Sequence, residues 1–250
     1  MAQAVKIRLK IRRQDGPNTL PYWQEFELPY QKGHNVLSLL MEIQKNPLDI
    51  SGCKIAPPAW EACCLEEVCG TCSMVINGRA RQACTALIDQ LEQPITLEPL
   101  DKFPVIRDLV VDRSRMFDNL KKVKAWIDVD GYYNLGPGPR QDPQQALRRY
   151  SLSTCMSCGV CLQVCPQVSL DNKFMGAAPI NQVCLFNSHP VGAYKAPERL
   201  EALMGEGGIA DCGNAQNCVE ACPKHIPLTE SIAEAGRQVT LYALKKYLGL

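Results

Sequence analysis

Residues 155–166 read CMSCGVCLQVCP, four cysteines at C-x2-C-x2-C-x3-C followed by a proline. Three cysteines at successive three-residue steps can wrap one cubane iron-sulfur cluster, and a fourth beyond a longer gap reaches across to a second cluster. A partner block lies downstream, where Cys212, Cys218 and Cys222 precede Pro223. A complete second run opening at Cys212 would place a cysteine at 215, and that position is Ala215. A methyl group cannot ligate iron. The spacing therefore predicts a [4Fe-4S] cluster held by Cys155, Cys158, Cys161 and Cys222, beside a [3Fe-4S] cluster held by Cys165, Cys212 and Cys218 with its fourth corner empty. Pro166 and Pro223 fix φ and remove a backbone donor, ending each loop where its last thiolate turns toward the neighbouring cluster.

A third set lies upstream. CLEEVCGTC, residues 64–72, sets Cys64, Cys69 and Cys72 at the C-x4-C-x2-C spacing of a plant-type [2Fe-2S] centre, and Cys84 supplies the separated fourth ligand. Gly70 allows φ > 0, which brings amide N–H groups toward the sulfides. Glu66 and Glu67 place negative charge nearby, which opposes reduction, although a solvated loop carries such a pair equally well. A Rieske centre is excluded, because Cys222 and His225 form one C-x2-H pair with no second histidine at matching spacing. His225 reads as a surface residue.

Iron has three competitors. Disulfides need an oxidising compartment, and MAQAVKIRLKIRR at the start offers no apolar stretch for a secretory signal. Zinc sites use separated C-x2-C pairs or histidines rather than three cysteines in succession with a Cys-Pro. Chance burial explains one or two of the fourteen cysteines, not three complete registers. Cys53, Cys63 and Cys184 fit no register and read as structural thiols, with Cys63 adjacent to the assigned Cys64. A net charge of +1 gives no general attraction for nucleic acid or anionic lipid. No apolar run approaches the roughly 18 residues that span a bilayer, so any membrane association runs through a partner.

The elements fall into two groups. Val5, Ile7, Leu9 and Ile11 alternate with Lys6, Arg8, Lys10 and Arg12, the period of a half-buried strand. The basic row suits either solvent or an acidic partner. WQEFELP gives a second strand, and Val36, Leu39, Leu40 and Ile43 mark an amphipathic helix over 35–46. After the cysteine loop come a strand over 73–76, an Asn77-Gly78 hairpin turn and the strand PITLEP. Beyond prolines 99 and 104 no clear strand remains; a helix is expected over 113–127, a loop at NLGPGPRQDP, helices flanking the cysteine blocks and a last helix from Pro227 to near Leu248. The expected fold is α+β, with a β-grasp, plant-type ferredoxin-like domain over 1–104 and a mostly α-helical, bacterial ferredoxin-like domain over 105–250.

With these motifs laid out, the chain resembles the iron-sulfur subunits of succinate dehydrogenase and fumarate reductase. The resemblance rests on CLEEVCGTCSMVINGRARQAC, CMSCGVCLQVCP and CGNAQNCVEACP in that order, with Ala215 at the vacant position. It implies a partner flavoprotein whose FAD oxidises succinate, and a membrane-anchor cytochrome b subunit that exchanges electrons with quinone. This chain would pass single electrons between them through its [2Fe-2S], [4Fe-4S] and [3Fe-4S] clusters, with no catalytic residue of its own, at the cytoplasmic face of the cell membrane. Ubiquinone-using members carry a tryptophan and a histidine near the [3Fe-4S] site where this chain has Leu170 and Gly213. That departure implies menaquinone and a haem-bearing anchor, with VSLDNKFMGAAP as an anchor-facing segment or as core. Two other readings stand beside this one: the cluster subunit of a different flavoprotein oxidoreductase, and a zinc-stapled interaction module. Direction, succinate oxidation or fumarate reduction, is open, because both run through the same carriers.

Overall fold

The computed structural model describes residues 5–128 and 140–249, and the first six residues of the expected NLGPGPRQDP loop lie outside them. The chain forms two compact units, Met1–Arg113 with Met156–Gln163, and Ser114–Cys155 with Val164–Leu250.

The first unit is a β-grasp. Strand β1 (Lys6–Arg13) pairs antiparallel with β2 (Tyr22–Pro29), and helix α1 (Val36–Lys45) follows. Strands β3 (Ser73–Ile76), β4 (Arg79–Gln82) and β5 (Ile95–Glu98) complete a sheet in the order β2-β1-β5-β3-β4, with β1 and β5 parallel. Ile7, Leu9 and Ile11 alternate inward from β1 and meet Val36, Leu39, Leu40 and Ile43 of α1 in one core. Each such side chain contributes roughly 1.5–3 kcal/mol by leaving water. Asn35 caps α1, its side-chain oxygen accepting from the Ser38 amide at 2.9 Å. Asn77 and Gly78 both take positive φ, the two-residue turn that matches strand twist, so Ile76 faces Arg79.

The basic row of β1 is answered within the sheet: Lys6 pairs with Glu27 at 2.5 Å, Lys10 with Glu25 at 3.4 Å and Arg12 with Glu98 at 3.6 Å. Arg13 continues the buried alternation instead. Its guanidinium meets Asp108 at 2.8 Å, both side chains within 2% of full burial. Asp108 stands in the turn between two short strands that the sequence reading did not anticipate, β6 (Val105–Arg107) and β7 (Val110–Val111). The segment Met156–Gln163 also packs here. Its short helix Val160–Gln163 buries Val160 and Leu162.

The second unit is helical, with α2 (Ser114–Lys122), α3 (Pro143–Ser153), α4 (Ala177–Ser188), α5 (Ala196–Met204) and α6 (Leu228–Leu248). Helix α2 is shorter than the expected 113–127. Helix α4 packs against α3, α5 and α6. A buried polar chain ties α3, α4 and α6: Asn181 donates to the Leu152 carbonyl at 3.0 Å, Ser231 to Asn181 at 3.1 Å, and the Cys184 thiol to the Ser231 carbonyl at 3.0 Å. Burial pushes that thiol up to about 12. No helix among the described residues is long and apolar enough to cross a membrane.

Candidate metal centres

The β3–β4 hairpin brings Cys72 and Cys84 together, because Cys72 precedes β3, Cys84 follows β4, and the Ala83 amide donates to the Cys72 carbonyl at 3.2 Å. Cys64 and Cys69 come from the loop before the hairpin. Leu65 and Glu67 take left-handed φ of 62° and 56°, costing about 1–2 kcal/mol each, and this alternation turns the amides of Glu66 and Val68 onto the Cys64 sulfur, both at 3.4 Å. The Thr71 amide donates to Cys69 at 3.5 Å. These bonds distinguish Cys64 from its neighbour Cys63, which is exposed. Arg113 closes the turn, donating to the Gly70 and Thr71 carbonyls, each at 2.8 Å.

The electrostatics favour thiolate at Cys69 and oppose it at Cys84. Burial opposes ionisation of Cys69, but hydrogen bonds from Thr71 and Cys64 outweigh it and hold the thiol down at about 6. Burial, and then hydrogen bonding and charge from Cys72, push Cys84 up to about 12. Thiolate is the form that ligates metal, and amide donors directed at sulfur stabilise it.

The same backbone device recurs at the other cysteine loops. Ser157 and Gly159 are left-handed at 50° and 84°, and Asn214 and Gln216 at 51° and 65°. Left-handed residues two apart are spread over all three cysteine loops, a backbone pattern that suits an anionic sulfide core. Cys158 and Cys161 lie in the first unit, whereas Cys155 and Cys222 lie in the second.

Within the second unit, Cys165, Cys212 and Cys218 rim one cavity, which Ala215, Gln167 and Phe174 also line. Burial, and then the nearby Cys165 and Cys212, raise the Cys218 thiol. Among the described residues no three Cys, His, Asp or Glu side chains gather tightly enough for a single ion. The three cysteines line a shared space instead, and Ala215, where the sequence register lacks a thiol, lines it with them. The donor set thus fits a cluster with three thiolate ligands. The Asn217 side chain donates to the Val164 carbonyl at 3.1 Å, joining the two cysteine segments. Arg115 pins the segment after Pro166 through the Ser169 carbonyl at 2.5 Å, Asn172 at 3.1 Å and the Phe174 carbonyl at 3.0 Å.

Arg113, Arg115 and Gln167 carry no signal in the sequence, since each works through a contact that spacing does not encode. Cys53 is exposed and Cys184 buried, remote in sequence from every register, and His225 is exposed with left-handed φ of 51°.

Residues 8–118 match the model of a 2Fe-2S iron-sulfur cluster binding domain, and residues 151–226 that of a 4Fe-4S dicluster domain. The succinate dehydrogenase iron-sulfur subunit of Bacillus subtilis (strain 168) is 60% identical over 249 residues, covering 100% of this chain and 98% of that one. The chain belongs to the family of succinate dehydrogenase and fumarate reductase iron-sulfur subunits. A fumarate reductase iron-sulfur subunit of Mycobacterium tuberculosis is 33% identical over 238 residues, 91% of this chain and 90% of that protein. A chain of the Mycobacterium smegmatis Sdh1 complex in the apo form superposes with a TM-score of 0.77 at 25% identity, covering 98% of each chain. As an iron-sulfur subunit of this family, the chain is the electron-transfer component of an oxidoreductase complex, and its α+β architecture is the family's ferredoxin pair.

Proposed function

We propose that Cys64, Cys69, Cys72 and Cys84 hold a [2Fe-2S] cluster, Cys155, Cys158, Cys161 and Cys222 a [4Fe-4S] cluster, and Cys165, Cys212 and Cys218 a [3Fe-4S] cluster. When bound, these clusters supply one-electron carriage between the FAD of a flavoprotein and quinone at a membrane anchor. The residues of this chain do the rest. They present thiolates, direct amides at sulfur and bury the sulfurs: Cys72, Cys84, Cys161, Cys218 and Cys222 are all buried. The carrying observation is the cavity that joins Cys165, Cys212 and Cys218 around Ala215, since a complete four-thiolate set would have no reason to leave an alanine there.

Leu170, exposed, and Gly213, on the cavity wall, offer neither an indole nor an imidazole to a quinone carbonyl, which supports menaquinone and a haem-bearing cytochrome b anchor. Such an anchor would hold the chain peripherally at the cytoplasmic face of the membrane. Metal analysis of anaerobically purified protein tests the assignment: about nine irons per chain and negligible zinc are expected. Mainly zinc, or about four irons, would overturn it.

A further inference from the structure

Two glutamates precede Cys69, and the fold treats them differently. Glu66 is exposed, and only its backbone amide turns inward. Glu67 is half-buried, and its carboxylate accepts at 2.8 Å from the hydroxyl of Thr85, the residue next to Cys84. Thr85 stands on a rigid platform. The Asn35 side chain, which caps α1, donates to the Cys84 carbonyl at 2.8 Å, and the Val36 amide donates to the Ala86 carbonyl at 3.0 Å. One carboxylate is therefore fixed beside Cys84, while the other moves in water.

A charge in water is weakened by the high dielectric and screened over roughly 8–10 Å, and a partly buried, immobilised one is screened far less. Adding one electron to a centre beside a fixed negative charge costs free energy, which lowers the potential, and cluster potentials respond to nearby charge, hydrogen bonds and exposure. We infer that Glu67, held by Thr85, is the positioning residue whose charge lowers the potential of the [2Fe-2S] centre, and that Glu66 is not. This rests on the assignment of Cys64, Cys69, Cys72 and Cys84 to that centre. The carboxylate changes neither bond nor proton; it biases where the electron rests.

The test is an EPR-monitored redox titration of the purified complex. Glu67→Gln keeps an acceptor for Thr85 and removes the charge, so the [2Fe-2S] potential rises, by several times any shift in Glu66→Gln, while the [3Fe-4S] potential in the same sample stays put. Thr85→Val leaves the charge but releases it to solvent, giving a smaller rise; Thr85→Ser restores the original value. Equal shifts in the two glutamate variants, or an unshifted Thr85→Val protein, overturn the inference. Should Glu67→Gln fail to load its cluster, Thr85→Val alone decides, in the same two directions. Cys69→Ser separates the premises: an unaltered [2Fe-2S] signal there removes the ligand assignment, whereas an altered one with no shift in Glu67→Gln removes only the role of Glu67.

Discussion

Gly70 lies against Cys158 so closely that a β-carbon at position 70 would sit 2.7 Å from both the Cα and the Cβ of Cys158. The loop carrying Cys69 and Cys72 thus touches the loop carrying Cys158 through bare backbone. Gly70 is needed twice, for that approach and for its φ of +72°. Gly70→Ala should destabilise the protein by at least about 1–2 kcal/mol from backbone strain alone, with a lower Tm and less bound iron. Gly16→Ala is the control, since nothing lies within 4 Å of its β-carbon. An unchanged Tm in Gly70→Ala would mean that the loops part without cost.

Asp108 has no access to water, and it accepts from Arg13 at 2.8 Å, the Ala59 amide at 2.7 Å and the Gln14 amide at 3.0 Å. Asp108→Ala leaves the buried Arg13 cation without its carboxylate, with only the Gln24 side chain and the Ala56 carbonyl as acceptors, and two amides without theirs. Removing one partner of a buried pair costs about 3–5 kcal/mol, which a urea titration should register as a clear fall in midpoint. A midpoint within error of the parent would show that water replaces the carboxylate.

Single Cys53→Ser, Cys63→Ser and Cys184→Ser variants should keep all three clusters, because the first two thiols are exposed and the third donates to the Ser231 carbonyl, which a serine hydroxyl can also reach. Cys69→Ser and Cys158→Ser should each perturb one. Loss of the [2Fe-2S] EPR signal in Cys63→Ser, with Cys64→Ser harmless, would reverse the choice between those neighbours.

Ala215→Cys places a thiol on the cavity wall at the vacant register. The expected outcome is conversion to a [4Fe-4S] centre with one more iron, a lower potential and slower quinone reduction. A [3Fe-4S] signal persisting in well-folded Ala215→Cys protein, at unchanged iron content, would mean that something other than the missing ligand sets the cluster type.

The purified complex should contain haem and reduce a menaquinone analogue faster than a ubiquinone analogue. Absence of haem together with a strong ubiquinone preference would contradict the reading of Leu170 and Gly213.

The cysteine registers were legible because ligand spacing is local, and so were β1, α1 and the Asn77-Gly78 hairpin, each marked by its own periodicity or turn chemistry. Strands β6 and β7, of three and two residues, are too short to show alternation. Arg13 carries no local signal of its own, and only Asp108, 95 positions away, gives it a buried partner. The pair Glu66 and Glu67 reads as two equal charges until Thr85 selects one. Spacing also says nothing of which core a loop joins. Nothing between Cys155 and Cys165 signals that the middle of the motif packs with the strands rather than the helices.

That excursion has a temporal side. Gly159 packs on Phe103 and Leu100, and the segment that supplies it, Met156–Gln163, leaves the ribosome about 50 residues after Arg113. At roughly 5–20 residues per second the delay is on the order of 3–10 s. Through that interval the growing chain has its sheet, its first helix and Cys64, Cys69, Cys72 and Cys84, while the wall that covers Leu100 and Phe103 is still unmade. The N-terminal half is therefore born open and waits for its own descendants to seal it.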